Sequence, residues 1–175
     1  MKHLTILAAA GLLVSCAEAT EEPMAAVPPV SGAAEAGPRP ALLPTTRKPA
    51  SPPLILDQTK ATMLRENTGI TLQWIDWDER GQVKVTVKEN GVWLLSGVQT
   101  GSGPGTVILN GVVTEIGSDY FLLDGLVSIV DTPDIGRGCS DRKVWRFGIT
   151  QGRQYWRLRE FEWCDGLTDY IDIYF

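Results

Sequence analysis

Histidine is almost absent from this chain of 175 residues, which contains a single one, His3. Catalysis by a Ser-His-Asp or Cys-His group requires histidine inside a folded domain, and so does zinc, copper or haem held by that residue. His3 lies at the very start of the chain, directly before an apolar run. These enzyme and metalloprotein classes are therefore excluded for the remainder of the chain.

Aromatic residues are missing from the first 73 positions, where prolines are concentrated instead. Nine of the 11 prolines lie between residues 17 and 53, among Ala, Glu, Thr and Ser. Such a composition buries too little apolar surface to offset the entropy of ordering. We therefore predict a disordered or extended tether over 16–53 and a folded domain over 54–175. A Pro-rich recognition segment is the alternative, although Pro28-Pro29 and Pro52-Pro53 show no clear docking pattern.

The apolar run at the N terminus, Leu4 to Val14, is too short to cross a bilayer. It has 11 residues, whereas a spanning helix needs about 20. Lys2 supplies a positive charge before the run, and the small-residue segment Leu13-Val14-Ser15-Cys16 closes it. This layout is typical of a secretory signal.

The segment Leu13-Val14-Ser15-Cys16 resembles the processing site of bacterial lipoproteins, whose pattern is Leu-x-(Gly/Ala/Ser)-Cys. The resemblance implies that 1–15 is a removed signal peptide and that Cys16 carries diacylglycerol and a further acyl chain. Two or more acyl chains anchor a protein stably in a membrane. Ala17 follows the cysteine where Asp would retain an enteric lipoprotein at the inner membrane, so the resemblance favours the outer membrane, with the domain facing the periplasm or the cell surface. The alternative is a plain signal peptide cut near Ala17-Glu18-Ala19.

Beyond residue 69 apolar and polar residues alternate with a period of two, which indicates β-strands. Examples are Ile70-Leu72-Trp74, Phe121-Leu123, Trp145-Phe147-Ile149 and Ile171-Ile173-Phe175. About eight such runs, separated by glycine-rich turns, predict an all-β domain, either a small antiparallel up-and-down barrel or a sandwich. One short helix is predicted between Asp57 and Asn67, capped by Asp57 or Thr59.

Two cysteines remain once Cys16 is assigned to lipid, namely Cys139 and Cys164. An even pair in an exported domain predicts a disulfide. The bridge would close a loop of about 26 residues and stabilise the domain by about 3.5 kcal/mol in the chain-entropy model. Two free or metal-binding thiols are the alternative.

Two short motifs suggest chemistry that their surroundings do not support. Ser140-Asp141-Arg142-Lys143 matches the Ser-x-x-Lys of penicillin-binding enzymes, but it leads into a strand and lacks the companion motifs of that site. Asp76 to Gly81 has the Asp-x-Asp and Gly of a calcium loop, but Val87 replaces the bidentate acid at position twelve. We interpret the first motif as structural and the second as an acidic hairpin turn, and we predict no metal site.

Carboxylates accumulate at the end of the chain and could form the acid pair of a glycoside hydrolase. They are Glu160, Glu162, Asp165, Asp169 and Asp172, of which Glu160 and Glu162 are predicted to share one strand face. Seven basic residues and one acidic residue lie just before them, over 137–159. Opposite charges on neighbouring antiparallel strands pair readily. We therefore predict that these carboxylates form ion pairs on the outside of the sheet.

Six tryptophans in one small domain fit core packing better than a groove that stacks sugars. Trp74, Trp93 and Trp145 are predicted in the core, whereas the pattern does not place Trp77, Trp156 and Trp163. The folded part has 12 basic against 17 acidic residues, so nucleic acid is a poor partner.

Taken together, these features predict a lipid-anchored envelope protein without catalytic activity or cofactor. Its partners are the membrane, through the acyl chains on Cys16, and an envelope protein or small ligand that the sequence does not identify. Two alternatives are an inhibitor of a lytic enzyme, by analogy with small envelope barrels, and a carboxylate-dependent cell-wall hydrolase.

Overall fold

The computed structural model describes residues 50–175. The predicted signal peptide, the predicted lipidation site Cys16 and the predicted tether up to residue 49 lie outside the described residues. The elements are β1 (Leu54–Ile55), α1 (Gln58–Arg65), β2 (Gly69–Leu72), β3 (Asp76–Val87), β4 (Trp93–Thr100), β5 (Thr106–Ile116), β6 (Tyr120–Val130), β7 (Gly138–Gly148), β8 (Tyr155–Leu158) and β9 (Ile171–Tyr174).

Strands β2 to β9 form a closed eight-stranded antiparallel barrel. Each strand pairs with the next along the chain, and β9 pairs back with β2. The short β1 adds to the end of β5 in parallel. The prediction of an all-β domain is confirmed, and the closing β2–β9 ladder decides for the up-and-down barrel over the sandwich. Within residues 50–175 no helix is long and apolar enough to span a membrane.

The barrel interior is filled by large side chains, as expected for eight strands, whose interior is just wide enough for side chains. Phe121 and Phe147 stack with ring centroids 4.9 Å apart, and Trp156 meets Phe121 edge-on at 5.7 Å. Trp93 and Trp145 are buried, which confirms their predicted place in the core.

Helix α1 closes one end of the barrel by burying Ala61 and Leu64 in the core. It begins as predicted, because the Asp57 carboxylate accepts a hydrogen bond of 3.0 Å from the backbone N–H of Lys60. Such a cap satisfies one of the free N–H groups at a helix start.

Close approach of β5 and β6 depends on two facing glycines, Gly111 and Gly125. A Cβ atom on Gly111 would lie 2.5 Å from the backbone oxygen of Asp124, which real Cβ atoms do not tolerate. Both positions point inward, so the missing side chains let strands β5 and β6 approach closely.

Trp74 is not in the core, contrary to the prediction. Strand β2 ends at Leu72, and the chain turns at once because the N–H of Ile75 donates to the Leu72 carbonyl at 2.9 Å. Trp74 is 39% exposed, and its indole N–H donates to the Asp169 carboxylate at 3.0 Å. Trp156 takes a buried position instead.

Two other local predictions are wrong. Residues 76–81 are the beginning of the long strand β3 and not a hairpin turn. The buried Gln99 side chain accepts from the Leu72 N–H at 2.6 Å and donates to the Asp76 and Glu79 carbonyls, so a contact distant in sequence holds this segment. Glu160 and Glu162 share no strand face, because they lie in the loop between β8 and β9.

Candidate functional site

The outer face of β2 and β9 is covered by a bulge at the start of β3. Ile70 pairs with Gly81 but Leu72 pairs with Asp76, so the segment 77–80 is longer than the β2 segment it faces. The extra residues fold over the outside of the barrel. Thr71 and Asp172 are consequently fully buried, although their neighbours in sequence are the ones that point into the core.

The bulge is held in shape by its first residue. The Asp76 carboxylate accepts from the backbone N–H groups of Asp78 at 2.6 Å and Glu79 at 2.9 Å. These hydrogen bonds to the charged form keep the pKa of Asp76 below its ordinary value. The acidic segment is therefore organised by its own backbone.

Beneath the bulge Arg157 on β8 and Asp172 on β9 form a bidentate ion pair. Arg157 Nε and Nη2 each donate to an Asp172 oxygen at 2.7 Å. Burial raises the pKa of Asp172, and the hydrogen bonds from Arg157 offset only part of that effect. Burial also acts to lower the pKa of Arg157, but the hydrogen bonds to Asp172 hold it above its ordinary value.

Aromatic rings and guanidinium groups surround this pair. The Arg157 guanidinium lies 4.1 Å from the Tyr170 ring centroid and 5.9 Å from that of Trp77. The Arg80 guanidinium lies 3.8 Å from the centroid of Tyr174 and donates to the Thr68 hydroxyl at 2.6 Å. We call the set the aromatic–arginine surface and define it as Trp77, Arg80, Tyr155, Arg157, Tyr170 and Tyr174.

At the end of the barrel opposite α1, Arg137 holds two of the predicted carboxylates together. It donates to both oxygens of Asp165 at 2.7 and 2.8 Å and to both oxygens of Asp169 at 3.1 and 2.9 Å. A further bond of 3.0 Å reaches the Thr132 carbonyl. The Arg137 side chain is 6% exposed and Asp169 is fully buried, so the Arg137–Asp169 pair is shielded from water, whereas Asp165 is 38% exposed.

The Arg137 clamp favours the ionised state of Asp165. Hydrogen bonds from Arg137 lower the pKa of Asp165 to about 2, and the same contacts raise the pKa of Arg137 well above its ordinary value. Asp165 is therefore a carboxylate at neutral pH. A general acid needs the opposite shift.

A disulfide joins Cys139 and Cys164 beside the clamp, as the sequence predicts. It links β7 to the loop that carries Asp165 and Asp169. In the same loop Trp163 packs edge-on against Trp145 with centroids 5.2 Å apart. The loop between β8 and β9 is thus fastened to the barrel by a covalent bond, an ion cluster and an aromatic contact.

Of the two remaining predicted carboxylates, Glu160 forms an exposed ion pair, whereas Glu162 accepts a hydrogen bond of 3.3 Å from the Thr168 hydroxyl. Lys143 Nζ lies 2.6 Å from Glu160, whose hydrogen bond raises the pKa of Lys143. Lys143 and Ser140 lie on strand β7, so they do not reproduce the helical Ser-x-x-Lys arrangement. The prediction of ion pairing is confirmed for Glu160, Asp165, Asp169 and Asp172. Their predicted place on the outer face of the sheet is wrong, because Glu160, Asp165 and Asp169 lie in the loop between β8 and β9, and Asp169 and Asp172 are fully buried.

Sequence reasoning did not find the aromatic–arginine surface. Its signal was present on β8 and β9, where Tyr155, Arg157 and Tyr174 occupy the alternate, outward positions. No alternation in the sequence marks Trp77 and Arg80 as part of this surface, because only the bulge at the start of β3 brings them there.

The fold and these contacts define a class, a small disulfide-linked up-and-down β-barrel with a densely packed Tyr, Trp and Arg surface on its outside. The chain belongs to the PM1083 family, which matches residues 52–175. It is 36% identical over 105 residues to a protein from Pasteurella multocida (strain Pm70) named "Uncharacterized protein PM1083", covering 59% of this chain and 68% of that protein. No solved structure matches the chain.

Proposed function

We propose that this protein is a lipid-anchored component of the bacterial envelope whose barrel binds another protein without catalysing a reaction. The Leu13-Val14-Ser15-Cys16 pattern supports the anchor. The aromatic–arginine surface is the observation that carries the binding function.

The composition of that surface is typical of the residues that dominate protein interfaces, which are Trp, Tyr and Arg. Trp77 is 44% exposed on the bulge, and Arg80 beside it is also exposed. The tyrosines are half-buried and held by stacking contacts, so little side-chain entropy remains to be lost on binding. The surface is thus ordered before a partner arrives.

A protein fits this surface better than a glycan does. Sugars stack on free ring faces, but Arg80 covers a face of Tyr174 and Arg157 covers a face of Tyr170. What the surface offers outward is the Trp77 ring and the unused N–H groups of Arg80, which has no ion pair within residues 50–175. These groups suit apolar and carboxylate side chains of a partner.

Binding is favoured over hydrolysis because most of the C-terminal carboxylates are already bound to arginine or lysine. Asp165 and Asp169 share the Arg137 guanidinium, and Asp172 is fully buried against Arg157. Retaining and inverting hydrolases need two accessible carboxyl groups that face each other. Hydrogen bonding to Arg137 also holds the pKa of Asp165 far from that of a general acid.

Trp77→Ala is expected to weaken binding of the envelope partner by about 30-fold or more. The reason is that a few residues at the centre of an interface, often aromatic, carry most of the binding energy. Partners are captured by cross-linking in intact envelopes and their affinity is measured with purified components. Ile135→Ala is the matched control, since Ile135 is 84% exposed on a different loop. A partner bound equally well by wild type and Trp77→Ala would contradict this assignment.

Cys16→Ala is expected to move the protein from the membrane fraction to the soluble fraction, because the acyl chains are lost together with the thiol. The measurement is fractionation of envelopes followed by mass analysis of the N-terminal peptide. The Cys139→Ser, Cys164→Ser double variant is the control and should stay with the membrane. Membrane partitioning that survives Cys16→Ala refutes the lipid anchor and leaves the barrel's binding function to be judged separately.

A further inference from the structure

One part of the barrel's outer surface carries cations and no acidic side chain among the described residues. It consists of every second residue from Gln82 on β3 to Lys88 directly after it, from Leu94 to Thr100 on β4 and from Thr106 to Val112 on β5. The β3–β4 and β4–β5 ladders place these outward side chains beside one another, and we call them the lysine face. Its charge is opposite in sign to that of the folded part, which has 12 basic against 17 acidic residues.

The charges of this face are Lys84 and Lys88. Both are exposed, and within residues 50–175 neither takes part in an ion pair. Arg80, at the border with the aromatic–arginine surface, extends the row of cations along β3. Acidic residues occur only beyond the edges, as Glu89 in the turn after β3 and Asp124 on the neighbouring β6. The positive potential of the two lysines is therefore not neutralised within the face.

Apolar side chains lie next to the lysines. Val98 is 43% exposed and Ile108 is 37% exposed, and the two face each other in the ladder between β4 and β5. A shallow depression of about 360 Å³ has Lys84 on one side and this apolar pair on the other. No outward position of these three strand segments is aromatic. The face thus lacks the Trp and Tyr anchors of a protein interface, which the aromatic–arginine surface has.

We propose that the lysine face lies against an anionic phospholipid surface, with the ammonium groups of Lys84 and Lys88 at the phosphates and Val98 and Ile108 at the level of the headgroups. A lysine ammonium is a point charge and pairs with phosphate without a fixed geometry. Each basic side chain close to such a surface increases partitioning by about a factor of five. Acidic residues on the far side of the barrel do not cancel this attraction, because salt screens charges beyond about 8 Å.

An attraction of this size matters most for a domain that is already held near a membrane, so its consequence rests on the proposed lipid anchor. Tethering raises the effective concentration of the face at the surface, and a weak interaction then suffices to orient the barrel. Strand β8, which carries Tyr155 and Arg157, is four strands from β4 in either direction around the barrel. The part of the aromatic–arginine surface on β8 therefore points away from the bilayer, where a partner protein can reach it.

The test is co-sedimentation of the full-length chain carrying Cys16→Ala, which has no acyl chains, with vesicles of phosphatidylcholine and with vesicles of an equimolar mixture of phosphatidylcholine and phosphatidylglycerol. The measured quantity is the ratio of the two partition coefficients, because the N-terminal apolar run is common to all variants. This ratio should be about 25, a factor of about five for each lysine. Lys84→Gln with Lys88→Gln should remove most of the preference, and so should about 1 M salt, which shortens the screening length to about 3 Å.

Arg142→Gln with Arg146→Gln is the matched control, because it changes the net charge equally on β7, which is four strands from β3 in either direction. It should leave the ratio unchanged, and an equal loss in this control would overturn the proposal. Equal partitioning of the parent chain into both kinds of vesicle would overturn it too. An acidic protein captured through Lys84 and Lys88 in the absence of any vesicle preference would assign the face to protein instead. Trp77→Ala should leave the ratio unchanged, so a failure here does not bear on the protein-binding surface.

Discussion

Replacing Arg137 with alanine is expected to lower the free energy of unfolding by about 3 kcal/mol, because Asp169 is then left charged and buried without its cation. Asp169 is fully buried, and its other side-chain partner is the Trp74 indole. For a domain of this size the loss corresponds to a decrease in Tm of about 10 °C. The measurement is urea unfolding followed by tryptophan fluorescence.

Two further variants identify the cause of that loss. Arg142→Ala removes an exposed arginine that has no ion pair within residues 50–175, and its effect should stay within about 0.5 kcal/mol. Adding Asp169→Asn to Arg137→Ala should recover part of the stability, since the buried charge is removed. A free energy of unfolding for Arg137→Ala equal to that of Arg142→Ala would show that the clamp contributes nothing.

Removing the disulfide by Cys139→Ser and Cys164→Ser is expected to lower the free energy of unfolding by about 3.5 kcal/mol. The reason is that opening the loop gives the unfolded chain more conformational entropy. Wild type measured with and without reductant provides the same comparison without substitution. The urea midpoint should fall in both cases while the circular dichroism of the folded barrel is retained. An unchanged midpoint under reduction would contradict the expectation.

The disulfide and the Arg137 clamp should not act additively. Both fasten the loop between β8 and β9 to the barrel, through Cys164 in one case and through Asp165 and Asp169 in the other. When either the disulfide or the clamp is lost, the loop between β8 and β9 moves more freely, so the remaining interaction contributes less to stability. The triple variant should therefore lose less stability than the sum of the two separate losses.

Several parts of the candidate sites were predictable because their determinants are local. The helix start at Asp57 follows from a capping side chain three residues from its donor. The pairing of Glu160, Asp165, Asp169 and Asp172 follows from a basic segment that precedes an acidic one. Which cation meets which carboxylate did not follow, because Arg137 reaches Asp165 over 28 positions in sequence.

The errors at Trp74 and at 76–81 have one origin. Alternation predicted that β2 continues to Trp74, but the Gln99 side chain binds the Leu72 N–H and the carbonyls of the bulge. Gln99 lies on β4, which the barrel places beside β3. A hydrogen bond between residues so distant in sequence leaves no periodic signal in either segment.

The amino-acid sequence by itself determined the all-β class, the disulfide pair and the charge balance of the ion pairs. The alternation of apolar and polar residues, the number of cysteines and the composition are properties of single segments or sums over the chain, so they do not depend on which segments meet in the fold. The tertiary structure alone decided the closure of the barrel by β2 and β9, and the bulge that brings Trp77 and Arg80 over the Arg157–Asp172 pair. Both depend on contacts between distant strands. Their register is set by the packing of the whole core and not by any one segment.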